Sequence, residues 1–476
     1  MGRSNTLLTE IRGINEECGV FGIWGAEKEQ AASISYYGLH SLQHRGQQST
    51  GLVVKNDQEL VQHRGLGLVS EVFSKDILEN LRGTAAIGHV RYINDLRGQI
   101  ADVQPFLFNF EDSGLAMCHN GKLVNAKQLR RSLEEKGSIL QTSSDSEVLA
   151  HLIKRQKSDS QVLNIKNALA QLKGAFAYIL LTQNEMIAAL DPNGLRPLSI
   201  GRLGSAFVVA SETCAFDTIG AKFFQDVNPG EMVIFNDQGM TVERYTENTS
   251  RAICSFEFIY LARPDSDISG VNIHIARKNM GKRLAAESPV PEADLVIAVP
   301  DSGISAAAGY AEAMQKPYEL GLIKNRYIAR TFIQPSQELR EIGVKMKLSV
   351  VERVVCGKKV VVVDDSIVRG TTTKRIVQIL REAGAAEIHV RVSSPVIRYP
   401  CFYGIDMQNT DELIGYGRSI EEVRQIIEAD SLDFLSIEGL VESINLPYYD
   451  EKYSGLCVAY FNGDYPTELV DYSDFV

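Results

Sequence analysis

Residues 360–373 read VVVVDDSIVRGTTT, and this stretch decides the fold class. Four consecutive valines are too apolar and too β-branched for a surface segment, so Val360–Val363 predicts a strand buried on both faces. Asp364 and Asp365 stand at its carboxyl end, the edge where open α/β sheets hold their ligands. Two adjacent carboxylates after four valines are costly to bury unpaired, which favours a ligand site over a plain polar turn. Ser366 to Thr373 is small and hydroxylated, with Arg369 in the middle and Gly370 free to adopt any backbone angle. Beyond Thr373, residues Ile376, Ile379, Leu380 and Ala383 fall on one helical face, and Gly384 is the stop. Strand, acidic pair, hydroxyl-rich turn and helix N-terminus together predict a phosphate cradle with a sugar- or metal-binding rim.

The chain of 476 residues is long enough for two or three domains, each with its own core. A net charge of −11 argues against nucleic acid as a partner, because phosphate binding wants a basic face. No apolar run approaches a membrane span. Residues 1–17 lack a signal peptide's long apolar core. Met1 to Thr6 fits the myristoylation pattern, which is short enough to arise by chance. Seven cysteines at wide, irregular spacings form no disulfide framework and predict a cytoplasmic protein with reduced thiols.

Cys18-Gly-Val-Phe-Gly-Ile-Trp-Gly25 predicts the first strand, directly after Glu16-Glu17. A cysteine there is ordinarily a small core residue. The alternative is that residues 1–17 are a leader whose removal makes Cys18 the N-terminus. An α-amine has a pKa near 8, roughly two and a half units below that of a lysine, so it can act as a general base near neutral pH. On the same residue as the thiol, it activates that thiol without a histidine. Six segments follow in order: residues 38–51 (GLHSLQHRGQQSTG), 88–92 (GHVRY), 119–121 (HNG), 144–147 (SDSE), 191–197 (DPNGLRP) and 211–214 (SETC).

As a set in register, these segments resemble the class II glutamine amidotransferases, whose N-terminal-nucleophile fold is an αββα sandwich. The resemblance implies that Cys18 attacks the glutamine amide, while the Asn120 side chain and the Gly121 N–H form the oxyanion hole. It also implies that Arg91 pairs with the glutamine carboxylate and Asp145 with its ammonium. Taken singly, Asn120-Gly121 reads as a hairpin turn, and Arg91 and Asp145 as surface ion-pair partners. The chain departs from the family at Ile93–Arg97, Ile-Asn-Asp-Leu-Arg. Asn94 stands where the family has a threonine that contacts the glutamine carboxylate, and Asp95 brings a negative charge there. The expectation is a retained glutaminase with glutamine affinity as its exposed point.

The motifs change character near residue 250, so the division is a leader (1–17), a glutaminase domain (18–250) and a second domain (251–476). Residues 254–286 read as largely helical. Asp294–Pro300 predicts a second buried strand, ending in Asp301-Ser302-Gly303, and Glu387–Val392 a third. Ser419 to Glu422 is a capping box opening an amphipathic helix. The stretch around residue 360 resembles the phosphoribosyl-pyrophosphate (PRPP) motif of the type I phosphoribosyltransferases, a mostly parallel sheet flanked by helices. By that resemblance Asp364 and Asp365 hold the ribose hydroxyls and help place Mg2+, joined by Ser302 on the pyrophosphate loop. Ser366, Arg369, Gly370, Thr371 and Thr372 would wrap the 5-phosphate. Lys324, Tyr327 and Arg330 open a basic stretch reaching Lys347, read either as a solvated face or as a lid that neutralises pyrophosphate and excludes water.

A class II glutaminase followed by a type I PRPP domain resembles the glutamine–PRPP amidotransferase family. The family implies transfer of ammonia from glutamine to the ribose C1, giving 5-phosphoribosylamine, pyrophosphate and glutamate, the first committed step of purine synthesis. It also implies homotetramers and inhibition by purine nucleotides. A leader-bearing branch carries a [4Fe–4S] cluster on four cysteines. Cys254, Cys401 and Cys457 match three of them, but Tyr460 takes the fourth place, so no cluster is expected. Two alternatives stay open, a PRPP-binding regulator without turnover and an ammonia-dependent variant with impaired glutaminase; a sugar-phosphate amidotransferase would share the glutaminase half but requires sugar-isomerase motifs in the second half, and VVVVDDSIVRGTTT is not one.

Overall fold

The computed structural model describes residues 18–92, 100–109, 114–325, 348–405, 407 and 409–475. The leader (1–17), the Ile93–Arg97 departure and the lid residues Tyr327 and Arg330 lie outside the described residues.

Gly19–Trp24 is buried along its whole length because it lies near the middle of a seven-stranded antiparallel sheet. The order across that sheet is Lys222–Asp226, Ser199–Leu203, Ala206–Ala210, Gly19–Trp24, Ala85–Arg91, Ser49–Lys55, Leu60–Leu66. A second antiparallel sheet has six strands in the order Gly239–Arg244, Glu231–Asn236, Met186–Leu190, Gly174–Leu181, Gly114–Leu123, Phe106–Asn109. Side chains alternate across a strand, so each sheet contributes one face to a shared middle layer. Val20, Ile87, Cys118, Ala177 and Ile179 meet there. The opposite faces are covered by helices. Phe21, Leu52 and Val90 pack with residues of Ala31–Ser41 and Cys214–Ile219. Met117, Phe176 and Tyr178 pack with residues of Ala126–Glu135, Glu147–Arg155 and Gln161–Leu169. This is the expected αββα sandwich.

The second half is built on four parallel strands in the order Leu295–Ala298, Lys359–Asp364, Glu387–Val392, Ser431–Phe434. The four valines divide by parity. Val361 and Val363 enter the core shared with helices Ile273–Glu287 and Ile304–Met314. Val360 and Val362 pack with Ile376, Val377 and Leu380 of helix Thr371–Glu382. The both-faces-buried reading of the strand therefore holds, and Gly384 follows the helix with φ +84°. Ser419 forms the predicted capping box with Glu422 at the start of Ile420–Ile427.

The stretch 254–286 is less helical than expected. Glu257–Leu261 is a single π-helical turn, Asp267–Ile268 and Val271–Asn272 pair as a short ribbon, and only Ile273–Glu287 is a regular helix. Pro264, which cannot donate a backbone hydrogen bond, and Gly270 at φ +78° break the pattern between them. The fourth strand, Ser-Leu-Asp-Phe, is too short and polar to announce itself in sequence.

The chain near residue 250 runs through a packed seam. The Ala252 N–H donates to Asn193 O (2.7 Å) and the Cys254 N–H to Leu195 O (3.1 Å). Ile253–Cys254 also pairs in parallel with Leu456–Cys457. Further along, the Asp471 carboxylate accepts from the N–H groups of Lys127 (2.7 Å) and Gln128 (3.1 Å), satisfying free donors at the start of helix Ala126–Glu135.

Candidate active site

At one end of the sandwich, strand register gathers the predicted glutaminase residues. Gly19 pairs with Val90 and Ser49 with Arg91, so Cys18 and Arg91 stand at neighbouring strand ends. The parity that turns Val20 into the middle layer carries Cys18, His89 and Arg91 the same way. From the opposite sheet the same layer receives Cys118 and Asn120. The Cys18 and Cys118 thiols interact electrostatically, and burial raises Cys118 far above the usual thiol range.

Asn120-Gly121 is not a hairpin turn. Both residues sit inside the strand Gly114–Leu123, opposite Ala177 and Phe176. Gly121 has φ +133°, and a Cβ there would lie 2.3 Å from Ala175 O, so the position demands glycine. Asn120 is 0% exposed, and neither polar atom of its carboxamide has a partner among the described residues. Native proteins rarely leave a buried amide unpaired. An amide kept free is what an oxyanion site requires.

Arg91 donates from Nη1 to the Asp102 carbonyl. The Asp102 carboxylate accepts from Ser143 N–H (3.0 Å) and Oγ–H (2.9 Å), tying Arg91 to the loop that carries Asp145. Asp145 Oδ2 accepts from the Leu123 N–H at 2.8 Å, and its Oδ1 lies 4.0 Å from His119 Nδ1. His119 is buried and stacked on Tyr178 (4.4 Å), and desolvation lowers its pKa. Gln104 accepts from the His119 N–H (2.8 Å) and donates to Ser146 Oγ (3.2 Å). His89 lies in the middle layer and spans the two sheets. Its Nε2 is 3.1 Å from His119 O, which can only accept, so the ring proton sits on Nε2. Burial first, and then the Arg91 charge, pull the His89 pKa down to about 3, so it is neutral. Asp102, Gln104 and His89 were missed in sequence because only the last lies inside a recognised segment, and its neighbours gave it no distinguishing spacing.

The second site lies at the carboxyl edge of the parallel sheet. Leu295–Ala298 and Lys359–Asp364 are hydrogen-bonded neighbours, so the turns that follow them lie side by side. Asp364 and Asp365 are 7% and 5% exposed. Burial raises both carboxyl pKa values, and the Asp365 charge pushes Asp364 further, well above the usual carboxylate range. Hydroxyls of Ser302 and Ser366 hydrogen-bond to Asp365 and oppose its shift, joining the two turns. Gly370 caps helix Thr371–Glu382 at φ +75°, where a Cβ would lie 2.3 Å from Ile414 Cδ1. Thr371 and Thr372 open the helix. Arg369 is held by Glu412 across the turn, and Lys324 Nζ lies 3.2 Å from Asp301 Oδ2 on the neighbouring loop.

Two adjacent buried carboxyls, each made harder to ionise by burial, suit a divalent cation whose charge offsets that cost. Among the described residues no group of three or more His, Cys, Asp or Glu side chains converges as a metal site. Two carboxylates with substrate oxygens completing the shell is the usual protein contribution to Mg2+. Cys254, Cys401, Cys457 and Tyr460 do converge, all buried, but not as four thiolates. Cys254 Sγ lies 2.8 Å and Cys401 Sγ 3.8 Å from the Tyr460 hydroxyl, which fills the space between them. Burial pushes the Cys457 thiol up to about 12. Three thiols around a phenol, with no fourth thiolate ligand, do not fit a [4Fe–4S] cluster.

The first half is thus built as a glutamine amidotransferase and the second as a phosphoribosyltransferase. Family models agree: residues 89–218 match the glutamine amidotransferase domain and residues 273–394 the phosphoribosyl transferase domain. The chain is 60% identical over 471 residues to an amidophosphoribosyltransferase of Bacillus subtilis (strain 168), covering 99% of this chain and 98% of that protein. It is 53% identical over 462 residues to one of Staphylococcus aureus, covering 97% of this chain and 93% of the other. Among solved structures it is similar to B. subtilis glutamine PRPP amidotransferase complexed with ADP and GMP (TM-score 0.91, 60% identity, 96% and 99% of the two chains). It is equally similar to a structure described as the allosteric regulatory enzyme of purine biosynthesis (TM-score 0.92, 60% identity, 96% and 98%). The chain belongs to the amidophosphoribosyltransferase family, the glutamine-dependent enzymes of the first step of purine biosynthesis.

Proposed function

We propose that the family's reaction, transfer of the glutamine amide nitrogen to PRPP, is divided between the two sites as follows. Removal of residues 1–17 frees the Cys18 α-amine, which takes the thiol proton as Sγ attacks the glutamine carbonyl. The oxyanion is received by the Asn120 Nδ2–H and the Gly121 N–H. Collapse to a thioester expels ammonia, and water then releases glutamate from Cys18. Arg91 holds the substrate carboxylate as a planar fork and Asp145 its ammonium. The observation that carries this reading is the Asn120 carboxamide, fully buried and without a partner among the described residues, in the layer that Cys18 faces.

At the second site Asp364 and Asp365 hold the ribose hydroxyls. The turn from Ser366 to Thr372 and the N-terminus of helix Thr371–Glu382 take the 5-phosphate. Ammonia, kept from protonation by internal passage, forms the C1–N bond as the C1–O bond to pyrophosphate breaks. Ser302, Asp364 and Asp365 would hold Mg2+, whose charge offsets that of the departing pyrophosphate. Lys324, Tyr327 and Arg330 are read as part of the closing lid.

The seven free thiols support a reducing, cytoplasmic setting. No helix among the described residues is long and apolar enough to cross a membrane. The relative that holds ADP and GMP supports control by purine nucleotides, and a homotetramer is the proposed assembly. The test supplies PRPP and Mg2+ with amide-labelled glutamine or with ammonium, and follows pyrophosphate together with the intact mass of the chain. Label in the product from a chain beginning at Cys18 supports the reading. Turnover with ammonium alone overturns the glutaminase half and implicates Asn94, and PRPP binding without pyrophosphate release favours a regulator.

A further inference from the structure

Four charged side chains are buried together where the two halves meet. Arg45, Arg196, Glu212 and Glu257 are each no more than 2% exposed. Arg45 is the hub. Its Nη1 and Nη2 donate to the two carboxylate oxygens of Glu257 at 3.0 and 2.7 Å, the planar fork that fixes a guanidinium most firmly. Nη1 also donates to Glu212 Oε1 at 2.5 Å, and Nε donates to the backbone carbonyl of Cys18 at 3.2 Å. Arg196 Nη1 lies 3.7 Å from Glu257 Oε1, and its Nη2 donates to Tyr403 O at 2.7 Å. Arg45, Arg196 and Glu212 come from the glutaminase half. Glu257 comes from the acceptor half, as the first residue of the π-helical turn Glu257–Leu261.

A π-turn is rare and recurs at functional positions. This one is clamped from its far side as well. Buried Arg277 donates from Nε to Phe258 O (2.7 Å) and from Nη2 to Ala262 O (2.8 Å), and its charge is felt by Asp365 of the acidic pair. One arginine therefore ties the turn to the Cys18 backbone and another ties it toward the acceptor carboxylates.

We propose that Glu257 is a positioning residue for the glutaminase: a carboxylate supplied by the acceptor half holds Arg45 against the Cys18 carbonyl. The mount of the nucleophile is then shared between the halves, and the geometry of the π-turn sets where the thiol stands. A reacting thiol displaced by about 1 Å loses up to roughly 10²-fold in rate. The inference rests on Cys18 being the nucleophile, which Cys18→Ala tests separately: glutamate release that survives that change removes the premise itself.

The test is Glu257→Gln in the full chain, which keeps the size and hydrogen-bonding reach of the side chain but removes its charge. Glutamate release, PRPP turnover with ammonium, and intact mass are measured on one preparation. The expected result is a loss of roughly tenfold or more in kcat for glutamine hydrolysis. KM for glutamine and the ammonium-dependent rate stay within about twofold, because neither substrate touches the changed group. The mass of the chain matches that of the unaltered protein. A glutaminase kcat within about twofold of the unaltered protein overturns the proposal, as does an equal loss of both activities, which marks a merely structural role. If Glu257→Gln does not accumulate as folded protein, Arg45→Lys probes the link from the other side, keeping the charge and losing the fork. The same selective loss supports the proposal, and equal loss overturns it.

Discussion

Asn120→Leu should make the protein more stable and its glutaminase nearly inert. The unaltered carboxamide is fully buried with neither atom partnered among the described residues. Such a group costs about 1–3 kcal/mol of stability relative to one that is satisfied. Leucine removes that cost with little change in length, and its branching takes back a fraction through tighter packing. The net expectation is a gain of about 1–2 kcal/mol, seen as a rise of roughly 1–4 °C in Tm. Loss of one oxyanion donor costs about 3–4 kcal/mol of barrier, which is roughly 10²–10³ in kcat. The assay pairs a thermal melt with glutamate release, and ammonium-dependent PRPP turnover serves as the control because Asn120 lies in the other half. A variant that melts several degrees lower would show that the amide is structural. A glutaminase kept within a few-fold would remove Asn120 from the oxyanion hole.

Three further outcomes are expected. Tyr460→Cys supplies a fourth thiol beside Cys254, Cys401 and Cys457 and should bind iron on anaerobic reconstitution, whereas the unaltered chain should not; iron analysis with the visible spectrum decides, and a brown unaltered protein would refute this. Asp364 has a folded pKa raised well above its unfolded value, so the folded state keeps a proton that the unfolded state has lost, and its contribution to stability falls as pH rises from about 4. Asp364→Asn should therefore abolish PRPP turnover while its Tm advantage over the unaltered protein is larger at pH 8 than at pH 5; an advantage that shrinks with rising pH reverses the sign. Asp471→Ala removes the acceptor for the Lys127 and Gln128 N–H groups and should cost about 1 kcal/mol, read in a denaturant melt, with no change in substrate KM.

How much of this was legible in the sequence depended on how far each feature reaches along the chain. The acceptor site is local: Val360 to Thr373 carries its own strand, its acidic pair, and a turn whose Gly370 is required by Ile414, so hydrophobic run and turn chemistry spell it out. Asn120-Gly121 was legible only as part of an ordered set. Read by itself it is a turn, and its place inside a strand is fixed by Ala177 and Phe176, more than fifty residues away. Residues 254–286 misled because the helical reading gave no weight to Pro264 and Gly270. Arg45 and Glu257 were invisible as a pair, since 212 residues separate them and only Arg45 lies in a recognised segment. Asp102 and Gln104 hold the glutaminase loop from a stretch of no recognisable pattern.

The seam near residue 250 bears on how the protein is made. The strand Ile253–Cys254 receives its partner at Leu456–Cys457, and helix Ala126–Glu135 receives the carboxylate of Asp471, 344 residues beyond Lys127. A chain still being synthesised, with its first half already outside the ribosome, lacks those contacts until residues 456–471 have been added. The half that liberates ammonia therefore acquires its last supports after the half that consumes it has been translated.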